Sequence, residues 1–166
     1  IVYLEGYLWD LDDAQMAIKK AISLAKKNHK LVAFSVSDVF CIERFRDSFK
    51  DLVNNEADLI FANEEEIKSL FEKSDLNECL KMIKEKEKVF AITLGEKGAV
   101  IAHKGDIHNI ESQKIDNLTD TTGAGDLFAA GFLLKYISGS NLIECGKEGV
   151  NFASQIIQVY GARLNR

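Results

Sequence analysis

Short apolar runs separated by helix-spaced segments set the pattern of this chain. Residues 1–8 are apolar and aromatic and predict a strand. Over residues 12–28, Ala14, Ala17, Ile18, Ala21, Ile22 and Ala25 recur at three- and four-residue intervals. Lys19, Lys20, Lys26 and Lys27 fall between them, so an amphipathic helix is expected with a solvated basic face. Residues 31–36 form a short apolar run, typical of a strand covered on both sides. Asp38 can cap a helix whose apolar residues are Phe40, Ile42, Phe45, Phe49, Leu52 and Val53. Residues 58–62 predict another buried strand, and residues 63–71 and 75–86 two helices. Residues 89–94 and 99–102 predict strands around the turn 95–98, and residues 107–110 a third strand beside them. A polar link, 111–120, leads to helices over 124–137 and 142–159, the last ending at Gly161 as a left-handed cap.

Strands alternating with helices need crossover connections, which gives an α/β class with a mainly parallel sheet and helices on both faces. The late hairpin adds antiparallel edge strands. In such sheets ligands bind beyond the carboxyl ends of the strands. The length of 166 residues fits one domain or a piece of a larger one. The chain opens on Ile1, inside a strand, with no initiator Met and no signal pattern, which suggests the C-terminal part of a longer protein.

Charge and composition narrow the function classes. A net charge of −5 argues against a broad basic face for nucleic acid. No run approaches the roughly 18 apolar residues of a membrane span. Cys41, Cys79 and Cys145 are odd in number and widely spaced, so they fit neither a disulfide framework nor a zinc site and point to a reducing, cytoplasmic setting. His29, His103 and His108 add no metal pattern, and His103 and His108 read as hairpin surface residues. Trp9, at a strand-to-helix junction, can pack in the core or edge a cleft.

The segment that carries chemistry is Asp120-Thr121-Thr122-Gly123-Ala124-Gly125-Asp126, followed by Phe128 and Phe132. Small residues open a helix there, and free first-turn N–H groups at the positive dipole end make a ready anion site. Asp126 lies in the same turn. A carboxylate beside an anion site needs a separate task, and taking a proton from a hydroxyl that attacks phosphorus is one. On the residues alone, the run also reads as a tight turn into a helix with a favourable first-turn acid. Neither a Walker loop nor Gly-x-Gly-x-x-Gly is present.

Asp120 to Phe132 resembles the C-terminal signature of the ribokinase-like (pfkB-type) sugar and nucleoside kinases. Asn63-Glu64-Glu65-Glu66 is similar to that family's Asn-x-x-Glu motif. Thr93-Leu94-Gly95-Glu96-Lys97-Gly98-Ala99 is similar to its nucleotide-side strand and turn, and Asn151-Phe152-Ala153 through Gly161 to its last helix. Tyr3-Leu4-Glu5-Gly6-Tyr7-Leu8 resembles the adenosine-kinase-like branch. Members are about twice this length, so residues 1–166 correspond to the nucleotide-binding and catalytic half, without the acceptor-binding half and lid.

The resemblance implies an ATP-dependent transfer of the γ-phosphate to a hydroxyl of a sugar or nucleoside, adenosine-like favoured. It makes Asp126 the general base and Gly123, Ala124 and Gly125, with the Asp126 amide, the anion hole. Thr93, Gly95, Thr122 and Asn151 would bind nucleotide. Glu66 and Asn63 would place Mg²⁺ through water, although Asn63 and the three acids after it equally suit a capped helix start. Asp120, with the Thr122 carbonyl, matches a K⁺ position of some relatives. The expected partners are a small substrate and, in the full protein, a second copy of itself. The competing expectation is a nucleotide-binding or scaffolding fragment without turnover.

Overall fold

The computed structural model describes residues 1–164. Its strands are β1 (Val2–Glu5), β2 (Val32–Ser35), β3 (Leu59–Asn63), β4 (Val89–Thr93), β5 (Ala99–His103) and β6 (Asp106–Ile110), in one sheet in that order. β1, β2 and β3 pair in parallel, Val2 opposite Val32 and Phe34 opposite Ile60. β5 and β6 are joined by Lys104 and Gly105 alone, a connection that only an antiparallel hairpin can use. The helices are α1 (Asp12–Lys27), α2 (Val39–Asp51), α3 (Glu64–Phe71), α4 (Leu76–Ile83), α5 (Ala124–Ile137) and α6 (Leu142–Ile156). This is the α/β architecture with late antiparallel strands that the sequence predicts. The chain divides into two units, residues 1–92 with 102–106, and residues 93–101 with 107 onward.

In the first unit, Asp58 knits three strands together. Its carbonyl accepts from the Val89 amide at 2.9 Å. Its own amide donates to the Val32 carbonyl at 2.8 Å. Its carboxylate accepts from the Val32 amide, also at 2.8 Å. The core there holds Ala33, Phe34, Ile42, Phe49 and Ile60, all essentially inaccessible. Phe34 and Phe49 meet edge to face at 5.2 Å, and Trp9 meets Phe49 the same way at 6.2 Å. Trp9 is therefore a core residue, only 4% exposed.

Several boundaries differ from the sequence reading. The first strand stops at Glu5, and Gly6–Asp10 forms a 3-10 turn. A β-carbon at Gly6 would lie 2.7 Å from the Val36 carbonyl oxygen, so the close approach that turns the chain needs glycine. In α2, Asp38 caps as expected, accepting from the Cys41 amide at 2.7 Å. Phe40, expected on the apolar stripe, is instead 78% exposed. It lies two residues before buried Ile42, hence on the opposite side of the helix. The helix kinks at Phe45 and passes into a π-helical turn, Leu52–Glu56, which still buries Leu52 and Val53. His103 is half-buried, with Nδ1 enclosed and unpaired, and so is not a plain surface residue.

In the second unit, α5 and α6 pack through glycines. A β-carbon on Gly131 would lie 2.6 Å from the Glu148 carbonyl oxygen. One on Gly149 would lie 2.9 Å from the Phe128 ring. Phe128 and Phe132 fill the space that this approach leaves. α6 ends at Ile156, three residues early. Gly161 does have positive φ, +80°, but it does not cap the helix. Its N–H donates to the Asp120 carboxylate at 2.9 Å, away from the helix carbonyls.

Candidate active site

The start of α5 is built by one carboxylate and one glycine. Asp120 accepts from the Thr122 amide on Oδ1 and from the Gly161 amide on Oδ2, both at 2.9 Å. These bonds hold its carboxyl below the usual carboxylate range, the Thr122 contacts contributing most. Gly123 then takes the left-handed conformation, φ +79°. A β-carbon there would also press on the Ala162 side chain at 2.9 Å. Glycine is thus required twice over at this corner.

The helix that follows exposes its first amides. Ala124 donates to the Thr121 carbonyl at 3.1 Å, and Leu127 to the Gly123 carbonyl at 2.9 Å. The Gly125 and Asp126 amides, between them, have no backbone acceptor outside the helix among the described residues. The Ala124 amide, expected in the anion hole, is therefore already engaged. Asp126 is exposed, and among the described residues no hydrogen bond or ion pair holds its carboxylate. A free carboxylate next to two free amides can accept a proton while those amides face an anion.

A cavity of about 370 Å³ opens beside this turn. Ala124 and Gly125 line one part of it, together with Thr93 and Gly95. Gly98 also borders it, and its φ of +91° folds the turn back. A β-carbon there would fall 2.0 Å from the Ile110 carbonyl oxygen, so only glycine fits. Val150, Ala153, Ser154 and Ile157 form a wall from one face of α6. Gln113, Ile115 and Leu118 close the cavity from the link before α5. A mostly apolar lining with a few polar groups suits a small organic ligand.

Four of the sequence candidates border this cavity: Thr93, Gly95, Ala124 and Gly125. Thr122, Gly123, Asp126 and Asn151 do not line it. Asn151 is half-buried, and its Oδ1 accepts from Gln155 Nε2 at 3.1 Å. Sequence reasoning missed Gln113, Ile115 and Leu118, which sit in a link without periodicity. It also missed Val150, Ser154 and Ile157, although their spacing of four and three residues marks one helix face.

Asn63 and Glu66 lie in the first unit, where they form a reciprocal cap on α3. Glu66 N–H donates to Asn63 Oδ1 at 2.8 Å. The Asn63 amide and Nδ2 return bonds to the two Glu66 carboxylate oxygens at 2.8 and 2.7 Å. Glu66 is nevertheless 8% exposed. Burial pushes its pKa up, the Asn63 backbone bond opposes this, and the charges of Asp38 and Glu5 raise it further. An extra positive charge nearby would relieve that repulsion. The described residues contain no group of three His, Cys, Asp or Glu side chains able to hold a metal directly. One buried carboxylate with lone pairs left over fits Mg²⁺ held through water. Asp120 lies elsewhere, in the second unit.

The model of the pfkB family carbohydrate kinases matches residues 1–166. The chain belongs to the pfkB family. A probable sugar kinase from Rhizobium etli superposes with a TM-score of 0.94 at 40% identity, over 97% of this chain and 49% of its own. The adenosine kinase of Sinorhizobium meliloti also gives 0.94, at 38% identity, over 98% of this chain and 50% of its own. An uncharacterised sugar kinase of Archaeoglobus fulgidus is 36% identical over 105 residues, 63% of this chain and 42% of the relative. This pfkB chain thus spans about half the length of the relatives it matches. Among its described residues, no helix is long and apolar enough to cross a membrane.

Proposed function

We propose that this pfkB chain is the nucleotide-binding and catalytic portion of an ATP-dependent kinase acting on a sugar or nucleoside hydroxyl. The observation that carries this reading is the first turn of α5, where among the described residues the Asp126 carboxylate has no partner and the Gly125 and Asp126 amides have no backbone acceptor, at the edge of a nucleotide-sized cavity. In this reading the cavity takes the adenosine part of ATP. Thr93 and Gly95 lie against ribose and phosphates, and Asn151 lies further along α6. Gly123, Gly125 and the Asp126 amide meet the γ-phosphoryl group, with Ala124 shaping the turn and Thr122 keeping it in register.

Asp126 accepts the proton of the acceptor hydroxyl. The acceptor oxygen bonds to the γ-phosphorus, the bond from that phosphorus to the β–γ bridging oxygen breaks, and ADP departs with the electron pair. The free amides stabilise the charge on the transferring group. Glu66, steadied by Asn63, would hold Mg²⁺ through water, and Asp120 would border a monovalent cation. Bound Mg²⁺ supplies charge neutralisation on the phosphates.

An adenosine-like nucleoside is the favoured acceptor. The similarity to the Sinorhizobium meliloti adenosine kinase supports it. So does the Tyr3-Leu4-Glu5-Gly6-Tyr7-Leu8 segment, which resembles the adenosine-kinase-like branch.

The test is phosphate transfer from ATP with Mg²⁺ to adenosine, ribose and fructose by the full protein and by Asp126→Asn. The expected outcome is a fall in kcat of about 100- to 10,000-fold with nucleotide affinity kept. A near-normal rate in Asp126→Asn removes the base assignment.

A further inference from the structure

The α6 wall of the cavity carries one polar pair whose geometry bears on which base the site accepts. Ser154 is buried, 7% exposed, on a wall otherwise made of Val150, Ala153 and Ile157. Its Oγ lies 3.0 Å from Gln113 Oε1 and 2.8 Å from the Asn151 carbonyl oxygen. Both neighbours are acceptors, and a hydroxyl has one hydrogen to give. With the carboxamide turned over, Ser154 donates to Asn151, its shorter contact, and accepts from Gln113 Nε2. The turned form then satisfies both bonds. The two ends of a carboxamide have nearly the same shape, so either orientation fits the space. In one, Gln113 keeps its NH₂ for the cavity; in the other, it keeps its carbonyl oxygen.

We infer that Gln113, hinged on Ser154, is a base-reading residue that turns to suit either a 6-amino or a 6-oxo purine, so that the site takes both adenine and guanine nucleotides. This rests on the cavity being the nucleotide site. Adenine presents a donor at position 6, which the Gln113 carbonyl accepts. Guanine presents an acceptor there, which the Gln113 NH₂ meets. Discrimination between the bases needs a polar group fixed in one sense, and Gln113 is exposed, so packing does not lock its carboxamide. A group that can turn meets either base, and with guanine it gives up only one of the two Ser154 bonds. The remainder of the wall is apolar and indifferent to the base edge.

Two substitutions isolate the device. Gln113→Glu keeps the length of the side chain but, ionised, only accepts. It keeps adenine and rejects guanine. Ser154→Ala removes the hinge, which weakens both nucleotides alike and leaves their ratio unchanged.

The experiment is titration calorimetry of the full protein with ADP and with GDP, followed by kcat/KM for ATP and GTP. The expected result is a pair of dissociation constants within about tenfold of each other. Gln113→Glu is expected to lower the GTP/ATP ratio at least about tenfold, which a role confined to holding the loop would not do. Binding of ADP with GDP excluded overturns the inference and leaves the nucleotide reading standing. A GTP/ATP ratio unmoved by Gln113→Glu also overturns it. If neither nucleotide binds, the cavity is not a nucleotide site, and the inference falls with that reading.

Discussion

Asp120 reaches across forty-one residues of chain to accept a hydrogen bond from the Gly161 amide at 2.9 Å. Its other carboxylate oxygen holds Thr122, one residue before the left-handed Gly123. One side chain thereby clamps the end of the chain after α6 to the loop that presents the first turn of α5.

That clamp is titratable. The Asp120 carboxyl lies below its ordinary value because its bonds to Thr122 and Gly161 favour the ionised form. It therefore contributes stability above the unfolded-state pKa, and loses it as pH falls through the lowered folded-state value. Asp120→Asn should melt at lower temperature than the wild type at pH 7. The gap should close as the pH drops below about 4, where the unfolded-state carboxyl protonates. Thermal melts at stepped pH check this, and a gap that persists in acid removes the clamp from the account.

Glu66 behaves in the opposite sense. Burial and the charges of Asp38 and Glu5 raise its pKa, so its ionised form costs stability at neutral pH. That cost is relieved as pH falls through the raised value. Glu66→Gln keeps a capping residue at this position and removes the charge. Its melting temperature should equal or exceed that of the wild type at pH 7, and the difference should shrink in acid. The Mg²⁺ concentration for half-maximal transfer should rise several-fold in the same variant. An unchanged Mg²⁺ dependence would restrict Glu66 to its capping role.

Gly131→Ala tests the α5–α6 contact. The added β-carbon would stand 2.6 Å from a backbone oxygen of Glu148, which cannot swing aside like a side chain. The expected loss is about 1–3 kcal/mol in a denaturant titration. Nucleotide affinity should fall as well, since Phe128 and Val150 on the two helices both line the cavity. Wild-type stability in this variant would show that the helices separate freely.

The parts of this molecule that were legible in advance are those written as short unbroken runs. β2, β3 and β4 carry buried apolar strings, and Gly123 to Asp126 announces a helix start by composition alone. The fold class follows from the alternation of those strings with helix-spaced segments. What escaped is set by contacts distant in sequence. Phe40 looks like a core residue until the side of the helix taken by Ile42 is known. Gly161 looks like a cap until its amide is found on Asp120. Gln113 and Leu118 come from a link with no repeat to read, and only the three-dimensional cavity brings them beside α6.

Trp9 is the one tryptophan of the chain, sealed against Phe49 with the Lys19 ammonium 5.8 Å above its ring. Indole emission from this protein therefore reports solely on the unit containing β1 to β3. A red shift during denaturation would mark the melting of that unit, while the cavity beside α5 and α6, built from the other, stays dark to the fluorimeter and calls for a dye of its own.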